Sequence, residues 1–292
     1  MSNKGSIGKS HVLGKKAVFM ALAVVNDANP NGDPASGNMP RTTVDGFGKM
    51  SPVCIKRKLR NRLQDLGHDI FIVADGRYDD GINNIYDRVM DNPDVNAAIT
   101  NGDNDAARRA LLENFIDCRA FGAVIAAKGS GKGKGISIDV RGAVTIQGAV
   151  TLEPIVICED QIAKSVNGSG RDGLSSDRLG SRYTVEHGLY IIKGTVNPFY
   201  AKQNGFTEDD LEAIRTALAS LFENDESAAR PAGSMVMAKV IWWEGNITNN
   251  GISRLYDSVS IRVKDGVMRP ESIEDYEVTV DPGTGAEVTD CA

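Results

Sequence analysis

Apolar positions along the chain fall into two periods. Residues 16–25 (KAVFMALAVV) form a near-continuous apolar run of strand length, which predicts a buried strand. After Ser51-Pro52, a helix start with Pro at its first position, Ile55, Leu59, Leu63 and Leu66 recur at helical spacing, and Gly67 ends the pattern. Residues 69–73 (DIFIV) predict a short strand. A polar, Asp- and Asn-rich stretch follows, with helical periodicity at 82–90 and 105–116. Residues 119–127, 141–157, 184–195 and 235–243 predict strands, with 255–263 as a further candidate. Thr207, followed by three acids and an apolar stripe, predicts a capped helix to Phe222. The acidic residues from 266 on, containing Pro and Gly, predict a frayed tail. Two helices against an antiparallel sheet, split by insertions, match an α+β domain with a ferredoxin-like or RNA-recognition-motif core.

Between the first strand and the first helix lies a loop, 26–41 (NDANPNGDPASGNMPR), whose Pro, Gly and Asn content forbids both a strand and a stable helix. Asp27, Asn29 and Asn31-Gly32 satisfy the first half of a calcium-loop pattern. The twelfth position is Asn38 rather than Glu, however, Pro30 interrupts the loop, and the flanking element is a strand. Asp27 or Asp33 with a divalent ion would lack partner acids for two-metal chemistry.

Charge changes the picture most. The 292-residue chain has a formal net charge of −6, which argues against coating nucleic acid with its whole surface. The signs are segregated. Arg41, Lys49, Lys56, Arg57, Lys58, Arg60 and Arg62 oppose only Asp45 over 41–64, whereas 75–117 and the tail are acidic. On the helix, Lys56 and Arg60 share one flank of the apolar stripe, one turn apart, within reach of a phosphate backbone. Residues 128–135 (KGSGKGKG), carrying Lys128, Lys132 and Lys134, miss the phosphate-loop spacing and precede a strand, leaving a basic loop or a plain turn. Residues 164–183 are rich in Gly, Ser and Arg. Within them Leu179, between Arg178 and Arg182, has the composition of a wedge between bases. The four cysteines and three histidines lie too far apart for a zinc site, so no metal or cofactor is expected. Neither a membrane-length apolar run nor a signal-peptide pattern occurs, which predicts a cytoplasmic protein.

Taken together, NPNGDPASGNMPR (29–41), VCIKRKLRN (53–61), RAFGAV (119–124), VRGAV (140–144), the LG/YTVEHGLY pattern (179–190) and FTEDDLE (206–212) resemble the Cas-seven family. These are the backbone subunits of the type I CRISPR Cascade complex, with type I-C the nearest branch. The resemblance spans 16–243. It implies a non-catalytic RNA-binding subunit with a modified RNA-recognition-motif palm, a helical fingers insertion (75–117) and a thumb hairpin (164–183). Copies would stack along the CRISPR RNA beside other Cascade subunits, displacing about every sixth base and leaving the rest to pair with target DNA. The implied RNA contacts are Arg41, Lys49, Lys56, Arg57, Arg60, Lys128, Lys132, Lys134, Arg141, Arg178, Leu179 and Arg182. Two alternatives stand beside this reading. One is a metal-dependent ribonuclease of the type III kind, with Asp33 as the residue to suspect. The other is a stand-alone single-strand-binding protein, for which stacking aromatics are scarce.

Overall fold

The computed structural model describes residues 11–78, 80–127, 136–163 and 179–291. β1 (Lys16–Ala28) leads through the two-residue strands β2 (Gly32–Asp33) and β3 (Met39–Pro40) to β4 (Phe47–Met50) and then α1 (Pro52–Asp65). A helical stretch follows: α2 (Ile85–Asp91), α3 (Pro93–Thr100), α4 (Asn104–Asn114) and α5 (Ile116–Phe121). Next come β5 (Gly122–Ala127), β6 (Ile136–Arg141), β7 (Val144–Pro154), β8 (Ile157–Ala163) and β9 (Leu179–Val196). The chain continues with α6 (Pro198–Asn204), α7 (Glu208–Ala219), β10 (Met235–Gly245), α8 (Asn249–Asp257), β11 (Val259–Val263), β12 (Tyr276–Val280) and β13 (Glu287–Asp290).

β1 is buried on both faces from Ala17 to Val25, so it must be central. It lies between β10 and β9 in a seven-stranded antiparallel sheet of order β13-β10-β1-β9-β7-β4, with β8 paired to the first half of β9. The two-residue period of the strand divides its side chains between two cores. Ala17, Phe19, Ala21, Ala23 and Val25 meet Ile55, Leu59 and Leu63 of α1 and Leu211, Ile214 and Leu218 of α7. Val18, Met20, Leu22 and Val24 meet Trp243, Tyr256 and Tyr276 beneath a layer made by α8, β11 and β12. The face opposite α1 and α7 is therefore covered. A third core joins Val89, Val95, Ala107 and Leu111 of the helical stretch to Ile125, Ile138 and Val140 of the β5–β6 hairpin.

Phe19 stacks on Trp242 at 5.4 Å between ring centroids, directly over Gly194. A Cβ at Gly194 would come within 2.2 Å of Phe19 Cζ. Gly194→Ala is expected to lower stability by about 1–3 kcal/mol through overpacking, seen as a lower urea midpoint at unchanged slope.

α1 and α7 form as the sequence predicts, with Ser51 and Thr207 as N-caps. Thr207 and Asp210 bond each other's backbone N–H in a capping box. Four expectations are corrected. Residues 69–73 form no strand, because the N–H groups of Phe71 and Ile72 are taken by Asp117 rather than by a neighbouring strand. Residues 119–121 belong to α5, and the strand starts only at Gly122. Residues 255–257 close α8, with β11 after them. The tail is not frayed: Tyr276 is buried, β12 pairs β11, and β13 closes the sheet beside β10. No helix among the described residues is long and apolar enough to cross a membrane.

Candidate nucleic-acid interface

The loop after β1 is built from its own amides. Asn29 is buried; its N–H donates to Ala229 O at 2.8 Å, and its Nδ2 donates to Asn38 O at 2.7 Å. Asn38 holds φ +64°, and a Cβ on Gly32 would strike Asn38 Oδ1 at 2.1 Å, so the turn needs both residues. Asp33 caps the short turn at Pro34–Ser36, accepting from Ala35 N at 3.1 Å and from Arg41 Nη2 at 3.2 Å. Asn31 Oδ1 accepts from Ser51 N at 2.8 Å, and Cys54 Sγ lies 3.6 Å from Pro30 O. The loop is thus pinned to the N-terminus of α1, where the helix dipole is positive. A groove of about 400 Å³ runs along this junction, lined by Met39, Arg41, Lys49 and Ser51 together with Asp33.

Five residues further along α1, Lys56 lines a second groove of about 600 Å³ with Arg108 of α4, Phe121, Arg141 of β6 and Tyr200 of α6. Burial, then the nearby Arg60 charge, holds the Lys56 ammonium below its ordinary range. Its Nζ lies 5.7 Å from the Phe121 ring centroid, and Arg141 lies 5.3 Å from that of Tyr200. Lys49, Lys56, Arg108 and Arg141 have no ion-pair partner among the described residues, whereas Lys58 is paired with Asp225 and Arg119 with Asp210. What this arrangement does chemically is attract anions of no fixed shape, the property a phosphate chain requires.

The model of the family described as CRISPR-associated protein Cas7 matches residues 15–281. The chain belongs to the Cas7 family. A Cas7 relative, the CRISPR-associated protein Cas7 of Haloferax volcanii, is 26% identical over 281 residues, covering 87% of this chain and 81% of that one. Among solved structures, a chain of a CRISPR RNA-guided surveillance complex in a pre-nicking state aligns at 14% identity and a TM-score of 0.43, over 78% of this chain and 77% of that chain. A chain of another CRISPR RNA-guided surveillance complex aligns at 17% identity and 0.40, over 78% and 68%.

Within this Cas7-family fold, the residues nominated from sequence separate. Arg41, Lys49, Lys56 and Arg141 line the two grooves. Arg60 does not join them: its side chain is 11% exposed, and its Nε donates to the fully buried Asp117 at 2.9 Å, so it is part of the core. Arg57 donates to Ile72 O at 2.7 Å, and burial followed by the Arg60 charge lowers its pKa. Arg182 Nη2 lies 3.5 Å from Asp27 O and lines neither groove. Lys128, Lys132, Lys134 and Arg178, with most of the 164–183 hairpin, lie outside the described residues, as does the side chain of Leu179. Their flanks are antiparallel pairs, Ala127 with Ile136 and Ala163 with Leu179. Sequence reasoning missed Arg108 and Tyr200. Arg108 lies in a segment whose overall charge is acidic. Tyr200 follows Asn197-Pro198, a helix-start signal.

Proposed function

We propose that this chain is a non-catalytic backbone subunit of a type I CRISPR surveillance complex, nearest the I-C branch, acting in the cytoplasm. It binds the guide RNA through phosphates and leaves bases free to pair with target DNA. Copies of the chain stack along the RNA, next to other subunits. The observation that carries the reading is the pair of grooves flanking the start of α1, whose cations Lys49, Lys56, Arg108 and Arg141 have no carboxylate partners among the described residues, in a family member with net negative charge. The order β1, α1, β7, β9, α7, β10, with β10-β1-β9-β7 side by side, supports a ferredoxin-like palm. An RNA-recognition motif reads bases on its open sheet face. Here that face is packed under α8, β11 and β12, so the strand is gripped by its backbone, which suits a subunit that accepts any guide sequence. The helices α2, α3 and α4 correspond to the fingers and 164–183 to the thumb. Asp33 is engaged with Arg41 and its own turn, which favours a positioning role over hydrolysis.

Purification of the chain with a guide RNA and its partner subunits tests this directly. The expected result is a multi-copy curved particle in electron micrographs, with the guide protected from nuclease. A monodisperse monomer leaving the guide unprotected overturns it.

A further inference from the structure

The groove beside the loop after β1 contains a group that does not belong on an anion-binding surface. Arg41 and Lys49 line it with positive charge and Ser36, Thr42 and Ser51 with hydroxyls, yet Asp33 lines it too. A carboxylate in the path of a phosphate chain repels that chain, so its place there calls for a group that it attracts. Its structural duties do not need the charge. Oδ1 alone accepts from Ala35 N at 3.1 Å and from Arg41 Nη2 at 3.2 Å, and asparagine caps such a turn as well as aspartate does. Oδ2 accepts no hydrogen bond among the described residues, and the side chain is 29% exposed, open to a ligand in the groove. The backbone beneath it is fixed on both strands of the turn. Asp33 O accepts from Asn38 N at 2.8 Å, and Asp33 pairs with Met39 across β2 and β3. Arg41 is tied to both neighbours, its N–H donating to Asn31 O at 3.1 Å and its carbonyl accepting from Lys49 N at 2.8 Å.

A carboxylate is an acceptor only. The sugar–phosphate backbone of DNA offers it nothing but further acceptors, whereas each ribose of RNA adds one donor, the 2′-hydroxyl. We propose that Asp33 is the sugar-reading residue of this groove, its Oδ2 accepting a hydrogen bond from a ribose 2′-hydroxyl. The inference rests on the RNA-binding reading above and adds what phosphate contacts cannot supply, because phosphates are common to RNA and DNA. A hydroxyl bonded to an ionised carboxylate makes a short, charge-assisted contact that offsets the repulsion between Asp33 and the chain. With deoxyribose in the same place the repulsion stays and the donor is gone, so the site rejects DNA as well as accepting RNA. The contact is recognition alone: the hydroxyl keeps its proton and no bond in the RNA breaks.

The test measures binding of the full chain to labelled single strands of one sequence made as RNA, as DNA and as 2′-fluoro RNA, whose fluorine cannot donate. Wild type is expected to bind RNA at least about tenfold more tightly than either of the others, the worth of one hydrogen bond to a charged group. Asp33→Asn keeps an oxygen for the turn and loses the charge, so it should bring the ratio close to one by losing affinity for RNA and not for DNA. A purely structural role for Asp33 would move all three affinities together and leave the ratio alone. Thermal unfolding is followed in parallel, and if Asp33→Asn unfolds early, Asp33→Ser, another neutral cap, takes its place. Wild type binding RNA and 2′-fluoro RNA alike, or an RNA preference that survives in the neutral variant, overturns the sugar-reading role and leaves the RNA-binding reading intact. No binding of RNA by the wild type overturns both.

Discussion

Replacing Asp117 with alanine is expected to lower the unfolding free energy by about 3–5 kcal/mol, the cost of leaving a buried charge without its partner. Asp117 has no solvent exposure, and its carboxylate accepts from Arg60 Nε at 2.9 Å, Phe71 N at 2.8 Å and Ile72 N at 3.2 Å. Removing it strands a nearly buried guanidinium and two backbone donors at once. Against a total stability of about 5–15 kcal/mol, that is a large fraction. Asp117→Asn keeps an acceptor for the backbone but loses the charge, so it should fall between wild type and alanine. Equilibrium unfolding in urea measures both, and an alanine variant within about 1 kcal/mol of wild type would contradict the assignment. The consequence for function is direct: Arg60→Glu would disrupt the same pair, so lost RNA binding in that variant would report on folding rather than on contact.

Lys56 and Arg60 show how far the sequence can be read. Their positions on one helix flank follow from spacing alone, and the structure keeps that spacing. What separates them is Asp117, 57 residues beyond Arg60, which no local pattern announces. The same carboxylate explains why DIFIV is not a strand: Ile70 and Phe71 are buried, but two of the segment's N–H groups are already satisfied. β1, α1 and α7 were legible because their signals are local, a continuous apolar run in one case and caps with a helical stripe in the others. The C-terminal layer had a signal that composition obscured. Tyr276, Val278 and Val280 alternate at period two, and all three join the core on the covered sheet face despite acidic neighbours. The loop after β1 was recognisable as a shaped turn. Its attachment to Ser51 through Asn31 depends on a contact across 20 residues and could not be read.

Reversing both Lys49 and Lys56 to glutamate is expected to weaken RNA binding at least about a hundredfold at physiological salt. Each lysine stands for one charge-assisted contact of about 1.5–3 kcal/mol, and each reversal adds repulsion from the phosphate. The loss should be equal for oligonucleotides of any sequence, because phosphates carry no base information. Folding should survive. Lys49 is exposed and forms no ion pair among the described residues, and a glutamate at 56 would replace the repulsion now acting between Lys56 and Arg60 with attraction. The thermal midpoint is therefore expected to hold while affinity collapses, the opposite of the Asp117 result. Fluorescence anisotropy on several unrelated RNA sequences, paired with thermal unfolding of the same preparations, separates the two. Unchanged affinity in the double variant would remove both grooves from the RNA path. A loss confined to one sequence would replace phosphate gripping with base readout.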